Sequence, residues 1–226
     1  MREYADYFYE KTTDAYEEPG DSKKSLNQAT LLYEKAEKTE HSAETLIRLY
    51  EIAEANRKSF DFQQFMTPTD TNELKYYMQY FLKKAEEKES PREKAPDSKV
   101  AAEIGEKWLL LHNTAASKQS LAEQYNNLAF YQLFVPDGKA AEAGIRRCME
   151  LDPSNKYAPT NLAPALLLQE KFKDAKAEYL RWKDKAFDSK NGLPAYKDAF
   201  LADLDDLENS GVKIPFVEEI RALLKQ

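Results

Sequence analysis

The chain has 226 residues, enough for one large domain or two small ones with a sizeable core. Acids outnumber bases 40 to 33, and the formal net charge of −7 argues against non-specific nucleic-acid binding and against anionic membrane surfaces. Gly is scarce at 6 residues while Ala, Leu, Glu and Lys abound, which predicts helix throughout, and a single Cys148 excludes an internal disulfide.

Residues 3–17 read as a helix rich in Tyr4, Tyr7, Phe8 and Tyr16, stopped by Glu18-Pro19-Gly20-Asp21. Residues 22–39 form the next helix, with Leu26, Ala29, Tyr33 and Ala36 on one face. Ser42 is an N-cap for a third helix carrying Ala43, Leu46, Ile47 and Tyr50. The stretch 58–69 then holds Phe60, Phe62, Phe65 and Met66 before Pro68. A loop of that length either lids the core with its Phe residues or offers them as a contact surface.

Asp70 and Glu73 have the spacing of a capping box and open a helix to about Lys88, with Leu74, Tyr77, Met78, Phe81 and Ala85 inward. Pro91, Pro96 and mixed charge mark 89–97 as a linker or insertion. The next helix starts at Asp97 or Ser98, is marked by Val100, Ala101, Ile104, Trp108 and Leu111, and ends at Asn113-Thr114. Ser117 begins the one after it.

From Tyr125 to Lys185 one pattern is written twice. Asn127-Leu128-Ala129 returns as Asn161-Leu162-Ala163, and the same 34-residue shift maps Lys139, Ala141 and Ala143 onto Lys173, Ala175 and Ala177. Tyr125, Leu128, Ala129, Ala141, Ile145 and Pro153 fall at the spacings of a tetratricopeptide unit, which the stretch resembles. Gln132 departs from that pattern in a slot that takes Tyr. The second unit keeps Leu162, Ala163, Ala175 and Tyr179 but has Pro159, Leu166 and Phe187 in three consensus slots. Pro164, inside the first helix of that unit, lacks the N–H that would reach Thr160 and predicts a kink.

After Lys185 the period lapses. Gly192-Leu193-Pro194 is expected to start a helix with Tyr196, Ala199, Phe200, Leu204 and Leu207 inward, stopped by Gly211. Pro215 opens a last helix with Phe216, Val217, Ile220, Leu223 and Leu224 inward. This ending, closing on Arg221 to Leu224, is similar to that of bacterial repeat regions attached to larger signalling or protease-like proteins.

The resemblance implies an all-α fold, an antiparallel helix-hairpin solenoid wound as a right-handed superhelix. Its divisions are 1–88 as divergent N-terminal helical repeats, 89–97 as linker, 98–193 as repeats, and 194–226 as C-terminal capping helices. The best units are 122–155 and 156–189. In that family the first helix of each unit lines the concave face, which implies a partner-binding groove of Glu123, Asn126, Asn127, Phe130 and Phe134 from one unit and Tyr157, Thr160, Asn161 and Leu168 from the next. Asn127 and Asn161 either grip a peptide backbone or bond within the scaffold.

No catalytic signature, phosphate loop or nucleophile elbow is present, and His41 and His112 lack partners at zinc-ligand spacing, so no enzyme, cofactor or metal is expected. Asp198, Asp203, Asp205, Asp206 and Glu208 crowd one helix and Arg146-Arg147 another, both read as solvated charge. The start, Met1-Arg2-Glu3-Tyr4, carries no apolar signal region and no apolar run suffices to span a bilayer, so a cytoplasmic protein with no membrane contact is expected. Three functions stay open: a scaffold for a protein or peptide partner, a structural or regulatory segment of a longer protein, and an all-helical enzyme. Oligomeric state is not legible.

Overall fold

Helix starts follow local capping chemistry. Ser90 accepts from the Glu93 N–H while the Glu93 carboxylate accepts from the Ser90 N–H, and Pro91 fills the first helical position, where its missing N–H is harmless. Thr114 and Ser117 make the same reciprocal pair, and the Asp137 carboxylate accepts from the Ala140 N–H. These caps sit in a computed structural model that describes residues 2, 5–6, 9–10, 19–40, 42–55, 59–68 and 70–226.

The described helices are α1 (Pro19–Glu40), α2 (Ala43–Ala55), α3 (Thr71–Glu86), α4 (Pro91–Leu111), α5 (Ala115–Phe134), α6 (Gly138–Leu151), α7 (Ala158–Leu167), α8 (Phe172–Trp182), α9 (Tyr196–Asn209) and α10 (Val217–Leu224). A 3₁₀ turn spans Phe62–Met66. The fold is mostly helical, but strands β1 (Ala186–Asp188) and β2 (Leu193–Ala195) pair antiparallel, with Ala186 opposite Ala195 and Asp188 opposite Leu193. The expected start of a helix at Gly192 is therefore corrected: Gly192 takes φ 78° in the hairpin turn, and the helix begins at Tyr196. Three-residue strands are too short to show an alternating pattern, although Asn191-Gly192 is a hairpin signal.

The chain divides into two compact units, Met1–Tyr77 and Met78–Gln226. The expected linker at 89–97 is corrected with it, since residues from Pro91 onward form the first turns of α4. Asp97 and Ser98 are buried, and the Asp97 carboxylate lies 3.8 Å from the Lys84 ammonium.

In the first unit, Ala5, Ala29, Tyr33 and Ile52 form a core against which Tyr9, Leu26, Leu32 and Leu49 pack. The Tyr33 hydroxyl donates to the Asp6 carboxylate, and the Arg48 guanidinium lies 5.0 Å from the Tyr9 ring centroid. In the Phe-rich stretch, Phe65 is fully buried 4.9 Å from Tyr77, while Phe60 and Phe62 flank Tyr50 at 5.5 and 5.6 Å. Phe62 stays partly exposed, so the stretch combines a lid with a modest exposed edge. Tyr4, Tyr7, Phe8, Tyr16 and His41 lie outside the described residues.

The second unit stacks its helices in chain order. Residues 112–114 join α4 to α5, and residues 135–137 join α5 to α6, links so short that successive helices pack as hairpins. Helices α6 and α8 begin 34 residues apart, at Gly138 and Phe172, whereas α5 and α7 begin at Ala115 and Ala158, 43 residues apart. Ala129, Ala141, Ala163 and Ala175 are fully buried, as are Ile145 and Tyr179. A Cβ on Gly138 would meet the Ala165 carbonyl oxygen at 2.7 Å, so α6 starts in direct contact with the end of α7. Helix α7 continues through Pro164 and stops at Leu167, where Glu170 takes the left-handed conformation, φ 58°. Helix α9 packs on α7 and α8, and α10 on α8 and α9, so one core runs from α5 to α10.

Ionic links join the stack. Arg147 donates to both oxygens of Glu106, at 2.7 and 2.9 Å, tying α6 to α4 rather than standing free. Burial would raise the Glu142 carboxyl, but hydrogen bonds from Lys171, Gln169 and Arg146 outweigh it and hold it down at about 2. Cys148 is buried and its thiol is pushed up to about 11, chiefly by burial, which makes it inert. Of the acids on α9, Asp198 accepts from the Ala195 N–H and Asp205 and Glu208 pair with Arg221, so the cluster is divided among separate tasks.

Two outcomes follow for stability. Ala141→Leu and Ala175→Leu overpack helix crossings and cost roughly 1–3 kcal/mol, whereas Lys173→Leu on the exposed face leaves the thermal midpoint nearly unchanged; denaturant melts of the three variants check this. Glu142→Gln costs about 1–2 kcal/mol at neutral pH. Because the folded carboxyl lies below its usual 4.5, its contribution is complete above that value and is lost as pH falls toward about 2, so the wild-type and variant melting curves converge over that window.

Candidate binding surface

The nine residues implied as a groove do not form one surface. Glu123 and Asn127 are exposed on α5, and Tyr157, just before α7, is 43% exposed. Every residue of α7 is buried. Asn161 donates to the Asn126 side-chain oxygen at 3.0 Å, and both residues are buried, so here the amide bonds within the fold. Thr160 is buried; its hydroxyl donates to the Tyr157 carbonyl at 2.9 Å and meets the Asp203 carboxyl of α9. Phe134 is buried 5.0 Å from the half-buried Phe130, and its carbonyl accepts from Arg92. Leu168 is half-buried beside Gly138.

Asn127 and Asn161 therefore hold equivalent sequence slots in different environments. The reason is positional: α7 is enclosed by α5, α6, α8 and α9, whereas the Asn127 side of α5 remains open.

A second cluster gathers around the β-hairpin, and the repeat pattern gives no hint of it. The Tyr196 N–H donates to the Lys185 carbonyl and the Lys197 N–H to the Lys183 carbonyl, both at 3.0 Å, so the start of α9 is pinned beside the end of α8. That brings Trp182 to 5.1 Å from Tyr196, Tyr196 to 4.7 Å from Phe187, and Phe187 to 5.5 Å from Tyr157. The Tyr196 hydroxyl donates to the Lys156 carbonyl at 2.8 Å and fixes the loop carrying Tyr157.

A lysine stands at each end of this row. The Lys185 ammonium lies 3.8 Å from the Trp182 centroid, and that of Lys156 lies 5.0 Å from Tyr157 and 5.4 Å from Phe187. Such contacts contribute about 0.5–1 kcal/mol each at exposed sites. Lys156 also pairs with Asp188 at 2.8 Å, which holds the Asp188 carboxyl below its usual range and raises Lys156. Arg181-Trp182-Lys183-Asp184-Lys185 is the sequence signal, a basic run with one aromatic.

Among the described residues no group of three or more His, Cys, Asp or Glu is placed to hold a metal ion, and no helix is long and apolar enough to cross a membrane. Compared with family models and with curated protein sequences, the chain matches none.

Asp203 offers a check on the packing of α9 against α7. Burial, reinforced by the Asp206 carboxylate, pushes its carboxyl up to about 7 against the opposing effect of the Thr160 hydroxyl. A carboxyl raised in the folded state stabilises fully only below its unfolded value and loses that contribution as pH rises through about 7. Asp203→Asn accordingly raises the melting temperature above pH 7 and has little effect near pH 4, as thermal melts across that range will register.

Proposed function

We propose that the chain is a helical-repeat scaffold of the tetratricopeptide type, a solenoid of antiparallel hairpins closed by α9 and α10, that holds a peptide or helix of a protein partner. The observation that carries this reading is the 34-residue register, shared by the starts of α6 and α8 and by the fully buried alanines of both hairpins. Repeats of this kind bury a core by stacking and leave extended faces for ligands. The net charge of −7 favours a protein partner over a nucleic acid. In this reading Asn126, Thr160 and Asn161 maintain the scaffold, while Glu123, Asn127 and Tyr157 are available for contact, and the protein acts by binding, in the cytoplasm, with no catalytic step. The complete burial of α7 favours a second reading, a structural or regulatory segment of a longer protein.

Panning a random-peptide display library on the intact protein tests the first reading. The expected result is a small class of enriched peptides that bind saturably in calorimetry; enrichment no greater than on an unrelated helical protein rejects it. Asn161→Ala, which leaves a buried amide partner unpaired, lowers stability by about 1–3 kcal/mol, and Asn127→Ala leaves the melting temperature unchanged.

A further inference from the structure

We propose that the row of rings from Trp182 through Tyr196 and Phe187 to Tyr157, with Lys185 and Lys156 at its ends, is a docking surface for an acidic peptide in extended form. This rests on the reading of the chain as a peptide-binding scaffold, and it moves the contact surface from the enclosed face of α7 to the hairpin end.

Three observations support it. The rings are only partly covered: Tyr157 is 43% exposed, and Trp182 and Phe187 are half-buried over a buried Tyr196. Rigid aromatic side chains seated on a fixed backbone are the residues that dominate interface energies. Next, the charge here runs against the rest of the molecule. Residues 178–198 hold Arg181, Lys183, Lys185, Lys190 and Lys197 against Asp184, Asp188, Asp198 and Glu178, whose carboxylate accepts from the Trp182 Nε1–H, in a chain whose net charge is −7. An acidic ligand is repelled by most of the surface and steered to this end. Lys185 is exposed, and its ammonium rests on the Trp182 ring with no carboxylate partner among the described residues, so it is available to pair with an incoming acid.

Dimensions select the form of the ligand. The centroid steps of 5.1, 4.7 and 5.5 Å give a row at most about 15 Å long, the length of about five extended residues. The matching segment carries an acid for Lys185 at one end and an apolar side chain for the rings beside it, since Lys156 at the other end already pairs with Asp188. The pair β1–β2 lies beside the row and has no third strand, an arrangement that admits an extended backbone along an edge.

The test uses the intact protein and fluorescein-labelled short peptides with a central Phe flanked by Glu pairs, Gln pairs or Lys pairs, together with a labelled oligothymidylate, all read by fluorescence anisotropy. The Glu-flanked peptide is expected to bind, to weaken as salt is raised, and to lose roughly tenfold or more in affinity on Lys185→Glu or Tyr157→Ala, both exposed positions. Thermal melts of the two variants should match wild type, and Lys173→Glu should leave affinity unchanged. Equal binding of the Glu- and Gln-flanked peptides overturns the charge argument, and so does oligothymidylate binding in preference to the Glu-flanked peptide. Peptides enriched by display that bind Lys185→Glu and Tyr157→Ala as well as wild type overturn this surface while leaving the scaffold reading intact, whereas the absence of any enriched peptide defeats the scaffold reading itself.

Discussion

Helix α7 is ten residues long and wholly buried, and the second unit is organised by that constraint. A helix enclosed on every side must have close neighbours, and close neighbours need small side chains at the crossings. Ala129, Ala141, Ala163 and Ala175 supply them, and the direct contact of Gly138 with the α7 backbone shows how little space remains. Larger groups are admitted only in the seams between helices, where Leu162, Ile145 and Tyr179 fill the core.

Enclosure also dictates what the polar groups of α7 do. A buried amide or hydroxyl without a partner is destabilising, so Asn161 and Thr160 are committed to Asn126, to the Tyr157 carbonyl and to Asp203. Those two side chains cross-link α7 to α5 and to α9. Partly exposed aromatic rings gather instead at the periphery, where the hairpin, the start of α9 and the loop before α7 converge. There, backbone hydrogen bonds hold aromatic rings and lysines in fixed positions without closing them off from solvent.

Charge is distributed on the same logic. The buried or half-buried ions Asp97, Glu106 and Glu142 each face a cation from another helix or loop, and those pairs link segments of the second unit. Arg221 gathers two of the α9 acids and fastens α10 to α9. Around the β-hairpin Lys156 pairs with Asp188 and Arg181 with Glu178, while the Lys185 ammonium rests on the Trp182 ring.

Much of the local structure was legible in the residues alone. The faces Leu74-Tyr77-Met78-Phe81-Ala85 and Ala199-Phe200-Leu204-Leu207 are buried as their periodicity requires, and the repeated Asn-Leu-Ala marks two helices in one register. Ser90-Pro91-x-Glu93 carries a helix start that the weight given to two prolines and mixed charge concealed. The short β-hairpin left only its Asn-Gly turn as a trace. Environment was another matter. Asn127 and Asn161 are written identically, yet one is exposed and the other buried, because burial depends on whether a later helix folds back over the site. The Lys–aromatic row joins Tyr157 to residues 25 and more positions away, and no local period records such a meeting. Helices, caps and small-residue slots are set by neighbours a few residues apart and can be read from the sequence. Which equivalent residue is covered, and which rings and charges converge, is decided only when distant segments pack.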